Sequence, residues 1–302
     1  MADLDQKNVL VTGANGLIGR ALTARLVEAG FAVHALKRNT RDAPFYYLEA
    51  SNLMVLDPAI PLYAVVNLAG PNLADKRWTS KRKNQILTSR VSLTSALAVA
   101  LTGLPFKPEL FLSASAIGYY GLTGENTVDE DSPPGDDFLS DVSQQWEHAT
   151  HPAEQAGINT IHLRIGVVLS RNGGMLQKLL LPFRIGMGGK IGDGKQYLSW
   201  ISIIDLVQAL LFLLEKKPQT GALNLVADEV VTNADFSAQL GRALRRPSFM
   251  PMPKFMVRLL FGEMGDALLL GSTRVRSTRL KSLGVNLQHR TLASALSAVL
   301  EP

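Results

Sequence analysis

The stretch NVLVTGANGLIG, at residues 8–19, decides the fold of this chain. Its apolar residues 9–11 are typical of a parallel strand that is buried on both faces. Three glycines follow at once, and apolar residues then recur at helical spacing as far as Gly30, where a helix C-cap belongs. A strand, a glycine turn and a helix in this order predict the first βα unit of an α/β fold.

The three glycines have separate tasks in a nucleotide-binding turn. Gly13 permits the tight turn, Gly16 lets the backbone approach a pyrophosphate, and Gly19 lets the helix pack close to the strand. The N-terminus of the helix attracts the anion. We therefore predict that a dinucleotide contacts a set of loop residues, namely Gly13, Asn15, Gly16, Leu17, Ile18 and Gly19. The competing interpretation is a tight turn without a ligand.

A second strand, at residues 32–36, should end in the residue that reads the cofactor's ribose. An Asp or Glu there would accept hydrogen bonds from a free 2′-hydroxyl, whereas an arginine can clamp a 2′-phosphate with two parallel bonds. The residues that follow the strand are Lys37 and Arg38, with no carboxylate. The sequence therefore predicts NADP(H) rather than NAD(H), unless Arg38 belongs to an exposed basic turn.

Composition excludes several classes of protein. The 302 residues include no cysteine, which excludes a disulfide framework, a thiolate metal site and a cysteine nucleophile. The five histidines do not group as metal ligands do, so we expect no metal. Lys and Arg number 31 against 26 Asp and Glu, but the cations lie in short clusters without interleaved aromatic residues. We therefore expect a small-molecule substrate and no nucleic-acid partner.

The hydropathy pattern argues against a membrane span. No apolar run approaches the roughly 18 residues needed to cross a bilayer, and the first residues are polar, unlike a signal peptide. We therefore expect a cytoplasmic protein without a membrane partner. Its oligomeric state, monomer or homodimer, stays open.

Longer motifs give the chain a family resemblance. The segment VVNLAG, at residues 65–70, reads as a strand running into a loop. With the TGxxGxxG pattern at 12–19, it resembles the extended, sugar-epimerase-like branch of the short-chain dehydrogenase/reductase superfamily. Further segments resemble the SDR39U1-like or YfcH-like epimerase-family proteins, whose C-terminal region is called DUF1731. These segments are NLAGPNLADKRW (67–78), KRKNQILTSR (81–90), SASAIGYYG (113–121), SPPGDDF (132–138), RIGVVLS (164–170), the glycine-rich stretch 173–206 and VTNADFSAQLGRALRRP (231–247).

The resemblance implies an α/β fold: a Rossmann-type doubly wound parallel sheet with a smaller C-terminal substrate lobe. Alternating strands and helices support such a sheet independently. We predict an NADP-binding domain at 1–170, to which 200–227 return, and a mainly substrate-binding lobe at 171–302. The predicted cofactor contacts also include Leu68, Ala69, Gly70 and Arg90. Arg90 could instead pair with an anionic substrate or anchor Glu147.

The catalytic residues depart from the superfamily's pattern. There, a Ser or Thr after the fifth strand binds the reacting oxygen, and a Tyr-x-x-x-Lys pair on the next helix moves the proton. Ser115 matches the first position, with Ser113 as second choice. Phe138 and Val142 fall near the places of the tyrosine and the lysine, and neither can move a proton.

Two tyrosines nearby could compensate for the missing pair. Tyr119 and Tyr120 are the only phenols close to Ser115 in the sequence, and we predict Tyr119 as the proton donor. The alternative is that both rings pack under the substrate loop. The acidic tract at 125–137 reads as a solvated loop, the pair Trp146-Glu147 as structural, and Asp205 as serving a helix terminus.

Cations that suit a phosphate or carboxylate lie in and before the glycine-rich residues 186–194, which lead to aromatic residues that suit a sugar or base. The predicted substrate contacts are Ser113, Lys178, Arg184, Lys190, Gln196 and Trp200. The sequence thus predicts an NADP(H)-dependent oxidoreductase or epimerase that acts on a small anionic or nucleotide-linked substrate by hydride transfer. The alternative is a non-catalytic NADPH-binding protein that engages a partner.

Overall fold

The computed structural model describes residues 7–219 and 221–301. The strands are β1 (Asn8–Thr12), β2 (Ala32–Ala35), β3 (Lys37–Arg38), β4 (Phe45–Leu48), β5 (Leu53–Leu56), β6 (Ala64–Asn67), β7 (Leu110–Ala116), β8 (Thr127–Val128), β9 (Asn159–Ile165), β10 (Val167–Leu169), β11 (Tyr197–Leu198), β12 (Trp200–Ser202), β13 (Ala222–Leu225), β14 (Val231–Thr232) and β15 (Arg274–Val275). The helices are α1 (Leu17–Glu28), α2 (Ser80–Thr102), α3 (Phe138–His148), α4 (His151–Gln155), α5 (Gly174–Arg184), α6 (Ile203–Lys216), α7 (Asn233–Ala243), α8 (Lys254–Phe261), α9 (Glu263–Leu268), α10 (Arg279–Ser282) and α11 (Leu292–Leu300). Short 3-10 turns lie at Glu49–Ser51 and Ile117–Tyr120.

A parallel sheet forms the centre, in the strand order β13-β9-β7-β6-β1-β2. Every neighbouring pair in it is parallel. The direction in which strands are added reverses between β1 and β6, and in open α/β sheets such a point marks the ligand crevice at the carboxyl ends of the strands. The Rossmann-type sheet predicted from the sequence is confirmed.

The apolar run of β1 is buried as predicted, because helices cover both faces of the sheet. Val9 and Val11 face a core that contains residues of α1 and α6, whereas Leu10 faces the opposite core with residues of α2. Both faces of the strand therefore lose their contact with water, which is the arrangement expected of a doubly wound fold.

The chain beyond β9 builds a further core around Trp200, Phe236 and Leu296. Helices α5, α7 and α11 contribute to it, and small strand pairs (β10 with β12, β11 with β14) border it. Ile203, at the start of α6, packs against both this core and the one under the sheet. The domain boundaries given above stay a prediction.

The acidic tract is not uniformly a solvated loop. That interpretation is wrong for Glu130, which is only 5% exposed. Its carboxylate accepts hydrogen bonds from the backbone of Asn224 and Thr278 and from the hydroxyls of Ser277 and Thr278, at 2.7–3.1 Å. Burial pushes the pKa of Glu130 upward, but the bonds from Thr278 and Ser277 outweigh it, so the pKa lies below its usual value.

Asp205 has a wider task than the helix terminus to which the sequence assigned it. It lies in the first turn of α6, where its carboxylate accepts from the Ser202 hydroxyl that caps the helix. It also accepts from the backbone N–H groups of Gln288 and His289, at 2.6 and 3.1 Å. Asp205 therefore ties the C-terminal segment to α6.

Within residues 7–219 and 221–301, no helix is both long and apolar enough to cross a membrane.

Candidate active site

The glycine turn and the loop after β6 are joined at the switch point of the sheet. Thr12 Oγ1 accepts hydrogen bonds from Leu68 N and Ala69 N, both at 3.1 Å, and donates to Asn67 Oδ1 at 2.6 Å. A Cβ on Gly13 would lie 2.7 Å from the Leu68 carbonyl oxygen, and the φ of Gly13 is +67°. Glycine is therefore required here both for space and for backbone conformation.

Gly16 and Gly19 have different surroundings. A Cβ on Gly19 would lie 2.2 Å from the Gly13 carbonyl oxygen, so this glycine allows α1 to pack on the turn. A Cβ on Gly16 would meet only that oxygen, at 3.1 Å. Gly16 is the N-cap of α1, it offers no side-chain cap, and the first turn contains no acidic residue. The opening helix N–H groups thus face a cradle that suits a pyrophosphate.

The two cations predicted to read the ribose are at the surface. Lys37 and Arg38 form β3, directly after β2, and both are exposed. The Arg38 guanidinium lies 3.2 Å from Glu49 Oε1, and both side chains are at least half exposed. A surface ion pair of this kind contributes about 0–1 kcal/mol, so it leaves Arg38 able to exchange Glu49 for a phosphate.

Arg90 reaches the loop after β6 from α2 and is almost fully buried. Its guanidinium donates to the carbonyl oxygens of Ile86 and Pro71, at 3.1 and 2.9 Å, and lies 5.1 Å from the ring centre of Trp146. No carboxylate in the described ranges pairs with it. Burial and repulsion by Arg82 lower the pKa of Arg90 to about 10, so it is still a cation at neutral pH. The suggestion that Arg90 anchors Glu147 is wrong, because Glu147 pairs with another arginine.

That arginine is Arg164 on β9, which faces Ser115 across the β7–β9 pair. Arg164 donates from Nε and Nη2 to the two oxygens of Glu147, each at 2.9 Å, and Ser115 Oγ donates to Glu147 Oε1 at 2.6 Å. All three side chains are at most 10% exposed. Glu147 was interpreted as structural from the sequence; it is instead a direct partner of the predicted catalytic serine.

The two tyrosines of the Ile117–Tyr120 turn have different environments. Tyr120 is buried, and its hydroxyl donates to Asn224 Oδ1 at 2.7 Å and accepts from Arg164 at 3.0 Å. Burial raises its pKa. Tyr119 is partly exposed, and the Arg164 guanidinium stacks 3.4 Å from its ring centre. Tyr120 is thus a packed residue, whereas the ring of Tyr119 is partly open to solvent.

The places of the absent Tyr-x-x-x-Lys pair lie in the first turns of α3. Val142 is buried, and Phe138 packs edge-on against Trp78 with a ring-centre distance of 5.2 Å. Lys83, from α2, brings its Nζ to 4.5 Å from the Phe138 ring centre and pairs with Glu263 of α9 at 2.7 Å. The Lys83 ammonium group therefore lies beside Phe138, at the place of the absent tyrosine, but it comes from α2 and not from α3.

The predicted substrate contacts are not all brought together. Ser113 accepts from Asn67 Nδ2 at 3.3 Å beneath the site, and Trp200 is completely buried in the C-terminal core, so it offers no face to a ligand. Gln196 donates to the carbonyl oxygens of Ile191 and Leu269 and braces the lobe. The exposed Lys178 reaches the loop after β6, where it donates to the Ala74 carbonyl oxygen at 2.9 Å.

Arg184 and Lys190 are exposed near the far end of α5 and in the loop that follows it. The Arg184 carbonyl oxygen accepts from Arg246, and the Lys190 carbonyl oxygen accepts from Met252. These contacts attach Arg184 and Lys190 to the segment that leads into α8, and the structure gives neither of them a contact with the loop after β6. Sequence reasoning missed the Arg164–Glu147 pair, although an arginine inside an apolar strand was its signal.

The fold and site define a class of protein, since residues 9–225 match the NAD dependent epimerase/dehydratase family and the chain belongs to that family. Residues 252–299 match a domain of unknown function, DUF1731. Both agree with the resemblance inferred from the motifs, and the family's description agrees with the prediction of a nicotinamide cofactor.

Several known proteins are similar to this chain over nearly all of its length. The chain is 38% identical to the epimerase family protein ML0860 of Mycobacterium leprae, over 98% of this chain and 97% of that protein. It is 38% identical to the human epimerase family protein SDR39U1, over 96% of this chain and 99% of that protein. The crystal structure of human SDR39U1 (isoform 2) with NADPH superposes with a TM-score of 0.88 at 35% identity, over 97% and 98% of the two chains. A nucleoside-diphosphate sugar epimerase from Corynebacterium glutamicum gives a TM-score of 0.73 at 31% identity, over 98% of this chain and 58% of that one.

Proposed function

We propose that this protein is an NADP(H)-dependent oxidoreductase or epimerase that acts on a small anionic or nucleotide-linked substrate. One observation carries the proposal: the glycine turn with the uncapped start of α1 follows β1, and Ser115, which donates to Glu147, lies near the carboxyl end of β7, so the two flank β6 at one edge of the sheet. This is where an α/β fold binds a nucleotide and its reaction partner. The NADPH complex of human SDR39U1 supports the choice of cofactor.

The residues present fit a phosphorylated dinucleotide. The first N–H groups of α1 would hold the pyrophosphate, and Arg38 would hold the 2′-phosphate after leaving Glu49. Leu68 and Ala69, in the loop after β6, would contact the cofactor as well. When bound, NADPH supplies a hydride, which this chain's own side chains cannot do.

An anionic substrate is supported by cations near the loop after β6. Arg90 is buried there without a carboxylate partner in the described residues, and Arg82 on the same helix reaches the Asn72 carbonyl oxygen at 2.7 Å. The buried Arg82 Nε has no hydrogen-bond partner. Because an unpaired cation loses solvation on burial, a phosphate or carboxylate ligand would offset part of that cost.

The proposed proton chemistry uses Ser115 and Tyr119. Ser115 Oγ donates to Glu147, so its lone pairs remain available to accept a hydrogen bond from a substrate hydroxyl. Arg164 fixes Glu147 by two hydrogen bonds and stacks on the ring of Tyr119. Glu147 and Arg164 are therefore positioning residues, and Tyr119 is the group that exchanges a proton with the reacting oxygen.

The test is single-turnover mixing followed by nicotinamide absorbance, with NADP+ for a panel of nucleotide sugars, whose hydroxyl groups would be oxidised, and with NADPH for small carbonyl compounds, which would be reduced. Tyr119→Phe keeps the ring but removes the hydroxyl, and we expect hydride transfer to slow by ~10²–10⁴-fold. NADPH affinity should not change. A variant that turns over at the wild-type rate would show that the proton comes from elsewhere.

Tyr120→Phe is the matched control, because it removes the neighbouring hydroxyl. The hydroxyl of Tyr120 bridges Asn224 and Arg164 inside the protein. Its loss should lower the free energy of unfolding by roughly 1–3 kcal/mol and leave the single-turnover rate within a few-fold of wild type.

The non-catalytic alternative rests on Phe138 and Val142, which cannot move a proton. It predicts that NADPH binds tightly while no compound in the panel is oxidised or reduced at any pH. The two proposals therefore give opposite results in one assay.

A further inference from the structure

Two segments of the C-terminal region, 181–192 and 240–262, form one continuous surface. Met250 N donates to the Gly188 carbonyl oxygen at 3.1 Å, and Met252 N donates to that of Lys190 at 2.9 Å. Arg246 Nε donates to the carbonyl oxygen of Arg184 at 3.0 Å, so the segments stay together at the end of α5. We call this surface, with α8 at one end, the basic apolar face.

The basic apolar face carries most of the large apolar side chains that the described residues expose. Fifteen such residues are exposed, and nine of them lie in these two segments. They are Leu181, Ile185, Met187, Phe249, Met250, Phe255, Met256, Leu259 and Leu260. Scattered apolar residues are normal on a protein surface, but a concentration of this kind marks a site of interaction.

Helix α8 shows the pattern most clearly. Phe255 and Leu259, four residues apart, are 70% and 72% exposed, and Met256 and Leu260 form the next row beside them. Val257, on the opposite side of the helix, is completely buried. Residues four apart lie on the same helix face, so α8 presents a continuous apolar strip outward and has only its inner side anchored in the protein.

The two segments that form this face carry charges of one sign, although acidic residues border them. The two segments contain seven Lys and Arg residues and no Asp or Glu. Lys254 and Arg258 pair with Asp193 and Asp266 from outside the segments. The other five form no ion pair with any residue in the described ranges; they are Arg184, Lys190, Arg242, Arg245 and Arg246.

The exposed apolar strip and the unpaired cations together indicate which kind of partner fits this face. A second copy of this chain, docked through the same face, would bring the unpaired arginines of both copies together, and like charges at an interface are unfavourable. A nucleic acid would meet the cations but leave the apolar strip without a contact. The surface of an anionic bilayer supplies both a layer of negative headgroups and an apolar layer beneath it.

We propose that the basic apolar face adsorbs this protein to membranes that contain anionic lipids, with Phe255 and Leu259 of α8 inserted between the headgroups. This reverses the expectation of no membrane partner. That expectation rested on the absence of a long apolar run, which argues against spanning a bilayer but not against lying on its surface.

The test is flotation of the full-length protein with lipid vesicles. We expect the protein to float with vesicles of phosphatidylcholine mixed with phosphatidylglycerol, and to remain unbound with phosphatidylcholine alone. Binding should weaken as salt is raised, because the headgroup attraction is screened. Absence of binding to the phosphatidylglycerol vesicles at low salt, or equal binding to both kinds of vesicle, would overturn the proposal.

Two double variants separate the contribution of the basic side chains from that of the apolar side chains. Arg242→Gln with Arg245→Gln should reduce vesicle binding by roughly 25-fold, since each basic side chain near an anionic surface is worth about 1 kcal/mol, a factor of about five. Phe255→Ser with Leu259→Ser should reduce it at least tenfold. These side chains are exposed, so the variants should fold, which circular dichroism checks.

Matched controls lie on other surfaces of the protein. Phe106 is 71% exposed, so Phe106→Ser removes an equally exposed ring, and Lys216→Gln removes an exposed cation at the end of α6. Both should float like the wild type. Equal losses for control and test variants would overturn the proposal. So would a stable dimer in sedimentation that Phe255→Ser with Leu259→Ser dissociates, because the face would then belong to a second copy.

Discussion

We predict that Arg38, which pairs with Glu49 at the surface, determines the preference for a phosphorylated cofactor. We predict that NADPH binds at least tenfold more tightly than NADH, a difference of about 1.4 kcal/mol. Arg38→Ala should remove most of this difference, because the 2′-phosphate loses its clamp. Glu49→Gln should raise NADPH affinity by a few-fold, since it releases the competing carboxylate. Calorimetric titration of both nucleotides measures these changes, and equal affinities in the wild type would contradict the assignment.

Gly16 and Gly19 offer a matched pair of substitutions in one turn. Gly16→Val should abolish nucleotide binding and leave the fold intact, because a side chain there enters the cradle but meets only one protein atom. Gly19→Val should destabilise the protein, because its Cβ would lie 2.2 Å from a backbone oxygen. Circular dichroism and nucleotide titration distinguish the two. A folded Gly16→Val protein with normal affinity for NADPH would contradict the proposed cradle.

Glu130 links two parts of the chain that are distant from it in the sequence. It follows β8, and its carboxylate accepts hydrogen bonds from β13 and from the segment that follows β15. Glu130→Gln keeps the size but not the charge, and we expect it to lower the free energy of unfolding by about 2–3 kcal/mol at neutral pH, as is typical for hydrogen bonds to a charged group.

The effect of Glu130→Gln should depend on pH in a defined direction. The pKa of Glu130 lies below its usual value of 4.5 in the folded protein, so its contribution to stability is complete above pH 4.5. The contribution is lost as the pH falls through the folded pKa. Urea unfolding of both proteins between acid and neutral pH should therefore give curves that converge at low pH, and a constant difference would contradict this account.

The molecule as a whole should unfold as one unit, although its core has more than one centre. Ile203 packs against both the core under the sheet and the C-terminal core, so neither can open without exposing apolar surface of the other. Leu296 is completely buried in the C-terminal core. We expect Leu296→Ala to lower the free energy of unfolding by roughly 2–5 kcal/mol and to shift a single transition.

The unfolding transition of Leu296→Ala is measured by far-UV circular dichroism and by tryptophan fluorescence. Leu259→Ala, at a position 72% exposed, is the control and should change the free energy of unfolding by less than about 0.5 kcal/mol. A separate early transition in Leu296→Ala would show that the C-terminal core unfolds independently of the sheet.

The sequence alone determined the features that depend on neighbouring residues. The apolar run before Gly13, the glycine spacing and the helix after it are local patterns, so the βα unit and the parallel sheet could be predicted. The basic end of the second strand predicts Arg38 as the contact of the 2′-phosphate, and this assignment stays a prediction. Contacts between residues far apart in the chain could not be predicted, because no local pattern records them.

Only the tertiary structure showed that Arg164 and Ser115 lie on adjacent strands and share Glu147 as a partner. It also showed that Trp200 and Glu130 are buried and that the apolar strip along α8 is exposed. The physical reason is that burial and charge pairing are decided by which elements pack together. An arginine, a tryptophan or a leucine has the same letter in the sequence whether packing encloses it or leaves it in water.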